Sequence, residues 1–200
     1  MLHPLASTAA RLAVTLLCLL AVTLSGCKGS SSSGNSAGGG GNQPETLRFA
    51  VIPKGTSHQF WRSVHAGAEA AAKELGNVEI LWKGPETEAD TAGQINVVKN
   101  FITNRVDGIV LAPNHSQSLI DVVSEANAEN VPVVIFDSGL GAGPKIVSLV
   151  ATDNHHGGIL SAKCLADALD HKGKVIMLRY KPGSESTEQR EAGFLEEIAR

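Results

Sequence analysis

From residue 47 onward, apolar positions follow two alternating spacings. Short apolar runs occur at 47–52, 78–82, 108–111 and 131–136, and longer stretches between them repeat their apolar residues every three or four positions. The first such stretch, 59–75, sets Val64, Ala68, Ala71 and Leu75 on one side, with Phe60 in register. Helices are likewise predicted near 88–105 and 117–129. Thr87 and Asp90 fit a capping box, and Gly76 directly after Leu75 fits a helix stop. Strands alternating with helices across short connections predict parallel pairing through right-handed crossovers, with helices on both faces. The runs Ile109-Val110-Leu111 and Val133-Val134-Ile135 lack polar alternation, as expected of strands buried on both sides. The fold class is therefore α/β.

A second unit is expected beyond the glycine-rich loop 139–144, giving domains 45–150 and 151–200. The run 146–150 is expected to cross between them. Asp153-Asn154-His155-His156-Gly157-Gly158 then leads into a helix bearing Leu160, Cys164, Leu165 and Leu169, with the Asp153-Asn154 pair capping it. A strand at 174–180 and a helix from about Ser186, with Phe194, Leu195 and Ile198 on one face, complete the chain. One strand and two helices cannot cover a sheet, which needs about three strands for independent stability. The chain is thus expected to be truncated within its second unit.

The amino terminus points to an extracytoplasmic protein. Residues 1–26 carry Arg11, no acid, and an apolar stretch at 12–24 that is too short for a comfortable membrane span. This is read as a signal peptide. Leu24-Ser25-Gly26-Cys27 resembles the bacterial lipoprotein box, which implies cleavage before Cys27 and a diacylglyceryl group on its sulfur. An ordinary signal peptide with an incidental cysteine is the alternative. Each buried methylene of such an anchor contributes about 0.8 kcal/mol to membrane attachment. Residues 28–43 are nearly all Gly, Ser and Asn, so 27–44 is read as a lipidated cysteine with a flexible tether. The glycine run is no phosphate loop, because neither a preceding strand nor a closing Lys-Ser or Lys-Thr accompanies it.

Seventeen Lys and Arg against 20 Asp and Glu give a net charge of -3, which becomes -4 once Arg11 is cleaved away. That balance offers no electrostatic footprint for nucleic acid. Of three cysteines, Cys18 leaves with the signal and Cys27 is lipidated, so Cys164 has no disulfide partner. It is read as a small buried apolar residue. Adjacent His155 and His156 point apart and lack a third ligand at metal spacing, so neither metal nor cofactor is expected. Nothing matches Gly-x-Ser-x-Gly, and a sugar-processing enzyme would need paired carboxylates where only Asp137 is well placed. No catalytic residue is therefore assigned.

The chemistry gathers at one rim. Lys54, Ser57, His58, Phe60 and Trp61 follow the first strand, Asn114 and His115 the third, and Asp137 and Ser138 the fourth. Ligands of open α/β sheets bind outside the carboxyl ends of strands. Flat rings beside polar groups suit a sugar, with its hydroxyls and apolar C–H faces. Phe60 either begins the buried helix face or meets ligand, and Trp61 is read as a ligand contact. Asp137 can accept two hydroxyl hydrogen bonds, although a turn or capping role is open to it.

Together, the turn into Phe60-Trp61, the Val-Pro-Val-Val-Ile-Phe-Asp strand ending at Asp137, the Thr152-Asp153-Asn154 to Gly157-Gly158 segment and Glu188-Gln189-Arg190-Glu191-Ala192-Gly193-Phe194 resemble the ribose-type periplasmic sugar-binding proteins. The resemblance runs from about residue 47 to the end. It implies a two-lobed type I periplasmic-binding-protein fold, each lobe a doubly wound parallel sheet, and a non-enzymatic, monomeric subunit delivering sugar to an ABC permease. It further implies that Phe60 and Trp61 sandwich the sugar, that His58 takes a hydroxyl-binding position, that Asp137 grips adjacent hydroxyls, and that Arg190 closes from the second lobe. Ser138 departs from the arginine usual after that aspartate, which puts ribose itself in doubt. A lactose-repressor-type regulator shares the core but needs a helix-turn-helix where this chain has its signal and tether. A lipoprotein presenting sugar to a receptor kinase or chemoreceptor is the alternative function.

Overall fold

The computed structural model describes residues 45–200, so the signal, lipid-box and tether readings lie outside the described residues. Its elements run β1 (Leu47–Ile52), α1 (Gln59–Leu75), β2 (Val78–Trp82), α2 (Thr91–Thr103), β3 (Gly108–Leu111), α3 (Ile120–Ala128), β4 (Val133–Phe136), β5 (Ser148–Val150), α4 (Asn154–Ala168) and α5 (Glu185–Ile198). The strands form one parallel sheet in the order β2-β1-β3-β4-β5.

Period-two alternation divides the sheet into two unequal faces. Ala50, Ile52, Ile109, Leu111, Val133 and Ile135 point into the principal core against Val98, Phe101 and Ile102 of α2 and Val122, Val123 and Ala126 of α3. On the opposite face Val51 is buried, whereas Val110, Val134 and Phe136 are only half-buried. The expectation of strands buried on both sides is thus corrected to one closed and one partly covered face. α1 packs along β2, and its Trp61 reaches Phe136, so only part of that face is covered.

Boundaries follow local chemistry. Asp90 caps α2 by accepting from the Gly93 N–H at 2.7 Å, so the helix starts three residues later than expected, and Thr87 serves the preceding turn instead. Gly76 stops α1 at a left-handed φ of 78° and donates to the Ala72 carbonyl. Val131 donates to the Ala126 carbonyl, which assigns it to the end of α3 rather than to β4.

Three expectations are overturned. The buried stripe of α1 runs through Trp61, Val64, Ala68 and Ala72, while Ala71 is exposed and Leu75 is 66% exposed. Shifting the stripe from Phe60 to Trp61 turns the helix by 100°, which buries the larger ring. Ser148–Val150 does not cross between units but extends the sheet as an edge strand beside β4. Residues 174–180 form no strand among the described residues, and Ile176 and Leu178 are each 90% exposed. A strand exists only through its ladder, and among the described residues this run pairs with no other strand. No second sheet accompanies the first among the described residues.

α4 and α5 pack on one another, with Asp153 capping α4 through the His156 N–H at 2.9 Å. A methyl group at Gly158 would overlap the Arg190 carbonyl, and one at Gly193 the His155 carbonyl, so the two backbones cross at paired glycines. His155 ties the crossing to Glu196 at 3.2 Å. Cys164 lies on the outer side of α4 and is exposed, contrary to its reading as a buried residue. None of the described helices is long and apolar enough to cross a membrane.

Candidate ligand-binding cleft

The segment before α5 folds back over the carboxyl ends of the strands. Ser116 donates to the Gly183 carbonyl at 2.8 Å, Ser186 N–H to Ser138 Oγ at 2.9 Å, and Gly139 N–H to Glu185 Oε2 at 2.9 Å. Between this segment and the loop after β1 lies a cleft of about 510 Å³. His58, Phe60, Trp61, Asp137 and Arg190 all line it, joined by Lys54, Glu88, Tyr180, Ser184, Ser186 and Thr187.

Its floor is a buried ion pair. Lys54 is 3% exposed, and its ammonium reaches Asp137 Oδ2 at 2.8 Å, Ser186 Oγ at 2.9 Å and Ser184 Oγ at 3.2 Å. Three donors thus meet three acceptors, as a lysine out of water requires. Asp137 adopts a left-handed φ of 63°, a conformation Asp tolerates better than most side chains, while its N–H bonds the Val150 carbonyl of the edge strand. It is therefore an ion-pair member rather than a helix cap. Gln94, fully buried on α2, locks the base of the cleft by donating to the Pro53 and Ala112 carbonyls and accepting from the Asn114 N–H.

His58 caps α1, its Nδ1 accepting from the Phe60 N–H at 3.1 Å. A neutral ring with Nδ1 accepting carries its hydrogen on Nε2, which makes that nitrogen a donor. Phe60 and Trp61 meet edge to face, with centroids 4.9 Å apart and planes at 72°. Consecutive helical residues diverge by 100°, so they cannot sandwich one ring as expected. Phe60 is 48% exposed and offers a free face, whereas Trp61 is 2% exposed, wedged against Phe136, with Nε1 donating to Glu88 Oε1 at 2.8 Å. Of the two readings left open for Phe60, burial in the helix core falls to Trp61 instead. Arg190 lies on the exposed side of α5 facing the cleft.

Lys181 ties the segment before α5 to the sheet, donating to the Glu88 carbonyl at 2.5 Å and the Asn114 carbonyl at 2.8 Å. Burial pulls its ammonium below the usual lysine range, and the Glu88 carboxylate partly restores it. The Tyr180 hydroxyl is raised above the usual range by burial first, although the residue as a whole is 67% exposed, and then by the charge and hydrogen bonding of Glu88. Asn114 is fully buried, but neither it nor His115 lines the cleft.

Sequence reasoning named Lys54 on the rim without foreseeing its pairing, and missed Glu88, Tyr180, Ser184, Ser186 and Thr187. Glu88 at a helix approach looks like a capping acid, and the serines look like an ordinary helix start. Gln94 alone left a signal, as a polar residue on the inward side of α2.

Known proteins resemble this chain in sequence and in fold. A family model described as a periplasmic binding protein domain matches residues 49–200. The chain is 34% identical over 155 residues to the ribose import binding protein of Bacillus subtilis, covering 77% of this chain and 49% of that protein. It is 32% identical over 157 residues to the D-ribose/D-allose-binding protein of Pseudomonas aeruginosa, covering 76% and 49%. An ABC transporter solute-binding protein of Agrobacterium vitis, solved with α-D-tagatopyranose, superposes at a TM-score of 0.73 with 34% identity, covering 76% of this chain and 54% of that one. These relatives are binding proteins rather than enzymes, and the chain spans about half of their length.

Proposed function

The chain belongs to the periplasmic binding protein domain family, and from that premise we propose that it captures a neutral sugar or related polyol at the strand ends and delivers it to an ABC importer. The observation that carries this reading is the convergence of His58, Phe60, Trp61, Asp137 and Arg190 from three separate parts of the chain on one cleft. The exposed Phe60 ring stacks on a sugar C–H face, His58 donates from Nε2, Asp137 accepts, and the Arg190 fork donates from α5. Trp61 supports this surface from behind. Two lining cations, Lys54 and Arg190, balance two lining acids, Glu88 and Asp137, which favours a neutral ligand over an anionic one.

Capture proceeds by hinge closure between the lobe of residues 45–150 and the one beginning at 151, which carries Arg190. Residues 1–26 direct export, and Cys27 with the tether to residue 44 holds a monomer by lipid on the extracytoplasmic side of a membrane. Calorimetric titration of the full-length protein with D-ribose, D-allose, D-tagatose and xylitol tests the binding. At least one is expected to bind, with a loss of about tenfold or more in Asp137→Ala and Phe60→Ala. Absence of binding across the panel, or retention in both variants, refutes the site. Labelled palmitate should enter the wild type and not Cys27→Ser; equal labelling refutes the anchor.

A further inference from the structure

We propose that Glu88 is a second hydroxyl acceptor of the cleft, so that ligand choice is set by two carboxylates, Asp137 on the sheet and Glu88 on the β2–α2 loop. This rests on the sugar-binding reading above and goes beyond it, because an acid on that loop carries no signal in the sequence.

Glu88 is held from three sides. A Cβ at Gly55 would lie 3.0 Å from the Glu88 nitrogen, so the loop after β1 packs directly on its backbone. The Thr56 and Ser57 N–H groups both donate to the Glu86 carbonyl at 3.3 Å, and Lys181 holds the Glu88 carbonyl. Trp61 Nε1 donates to Oε1 at 2.8 Å. An indole N–H satisfies one lone pair of a carboxylate that has about four, which leaves acceptor capacity for a further donor. The residue lines the cleft itself. The Tyr180 hydroxyl faces the same carboxylate, since Glu88 lifts its pKa by charge and by hydrogen bonding, so a ligand hydroxyl shares the carboxylate with that phenol or displaces it. A carboxylate fixed at its backbone and by the indole is pre-organised, so binding a further hydroxyl costs little ordering entropy. Trp61 is then a positioning residue rather than a stacking surface.

The test uses the tightest binder among D-ribose, D-allose, D-tagatose and xylitol, together with its monodeoxy analogues, on the full-length protein. Glu88→Gln keeps an oxygen for the indole and loses the charged acceptor; Glu88→Ala loses both. The expected result is a loss of about tenfold or more in Glu88→Gln for the parent, with one deoxy analogue insensitive to the change. Asp137→Asn should spare a different analogue. Wild-type affinity in Glu88→Gln with weakening confined to Glu88→Ala overturns the proposal, leaving Glu88 as a prop for Trp61. Uniform weakening across every analogue also overturns it. Failure of the wild type to bind any of the four overturns this proposal and the sugar-binding reading together.

Discussion

Replacing Lys54 by methionine keeps most of the buried stem and removes the ammonium. Asp137 loses the cation 2.8 Å away, and Ser184 and Ser186 lose their shared donor. Removing one partner of a buried pair costs about 3–5 kcal/mol, because the remaining charge stays out of water. The Asp137 side chain keeps 21% of its surface exposed, so water relieves part of the penalty and the lower end, about 3 kcal/mol, applies. For a fold of this size each kcal/mol lowers Tm by about 2–4 °C, giving a drop of about 6–12 °C. The second arm is Asp137→Asn, chosen because Asn also tolerates the left-handed backbone. The double variant should be less destabilised than the sum of the singles by about 1 kcal/mol or more, since the two groups are in contact. Urea unfolding followed by tryptophan fluorescence supplies all four stabilities. Single variants within about 0.5 kcal/mol of wild type and no coupling would refute the pair as the tie between β1, β4 and α5.

Tyr180 is the chain's single tyrosine, so an alkaline absorbance titration reports it alone. Its midpoint should lie above 10.0 and fall in Glu88→Gln; a midpoint at or below 10.0 refutes its placement beside that acid. A raised pKa means the folded state holds the proton longer, so this contribution to stability is intact below pH 10.0 and lost as pH rises through the folded value. Lys181 acts in the opposite sense: its lowered pKa adds stability above 10.5 that is lost as pH falls through the folded value, and Lys181→Met should flatten that slope. Gly158→Ala should cost about 1–3 kcal/mol by forcing α4 from α5, whereas Gly157→Ala, with open space around it, should be neutral or stabilising; equal thermal shifts would refute the glycine crossing. Trp61→Phe should cost about 1–3 kcal/mol of stability through the lost indole bond, and the half-exposed Phe60 should tolerate alanine better; the reverse order in chemical unfolding would place the core stripe on Phe60.

Strand positions were legible because apolar runs have few other uses. Residues 47–52, 78–82 and 108–111 coincide with β1, β2 and β3, and the stop at Gly76 follows from its freedom at positive φ. Parallel order also followed, since strands separated by helices cannot pair as hairpins. The segment 174–180 failed for a complementary reason: Val175, Ile176 and Leu178 have the composition of a strand, but pairing belongs to two segments and cannot be read from one.

The sequence by itself determined the class of the fold, the rim where chemistry collects and five residues that share the cleft. Chain order and the side-chain period of a strand are local properties, and together they bring successive strand ends to one edge. Only the tertiary structure decided that Trp61 rather than Phe60 is buried, that Lys54 holds Asp137 and two serines beyond residue 180, and that Glu88 meets the indole. Those outcomes depend on distances between segments remote in sequence, where a 100° turn of one helix exchanges a core ring for an exposed one. Charge pairing out of water is likewise settled by which partner lies within about 3 Å, and spacing along the chain carries no record of that.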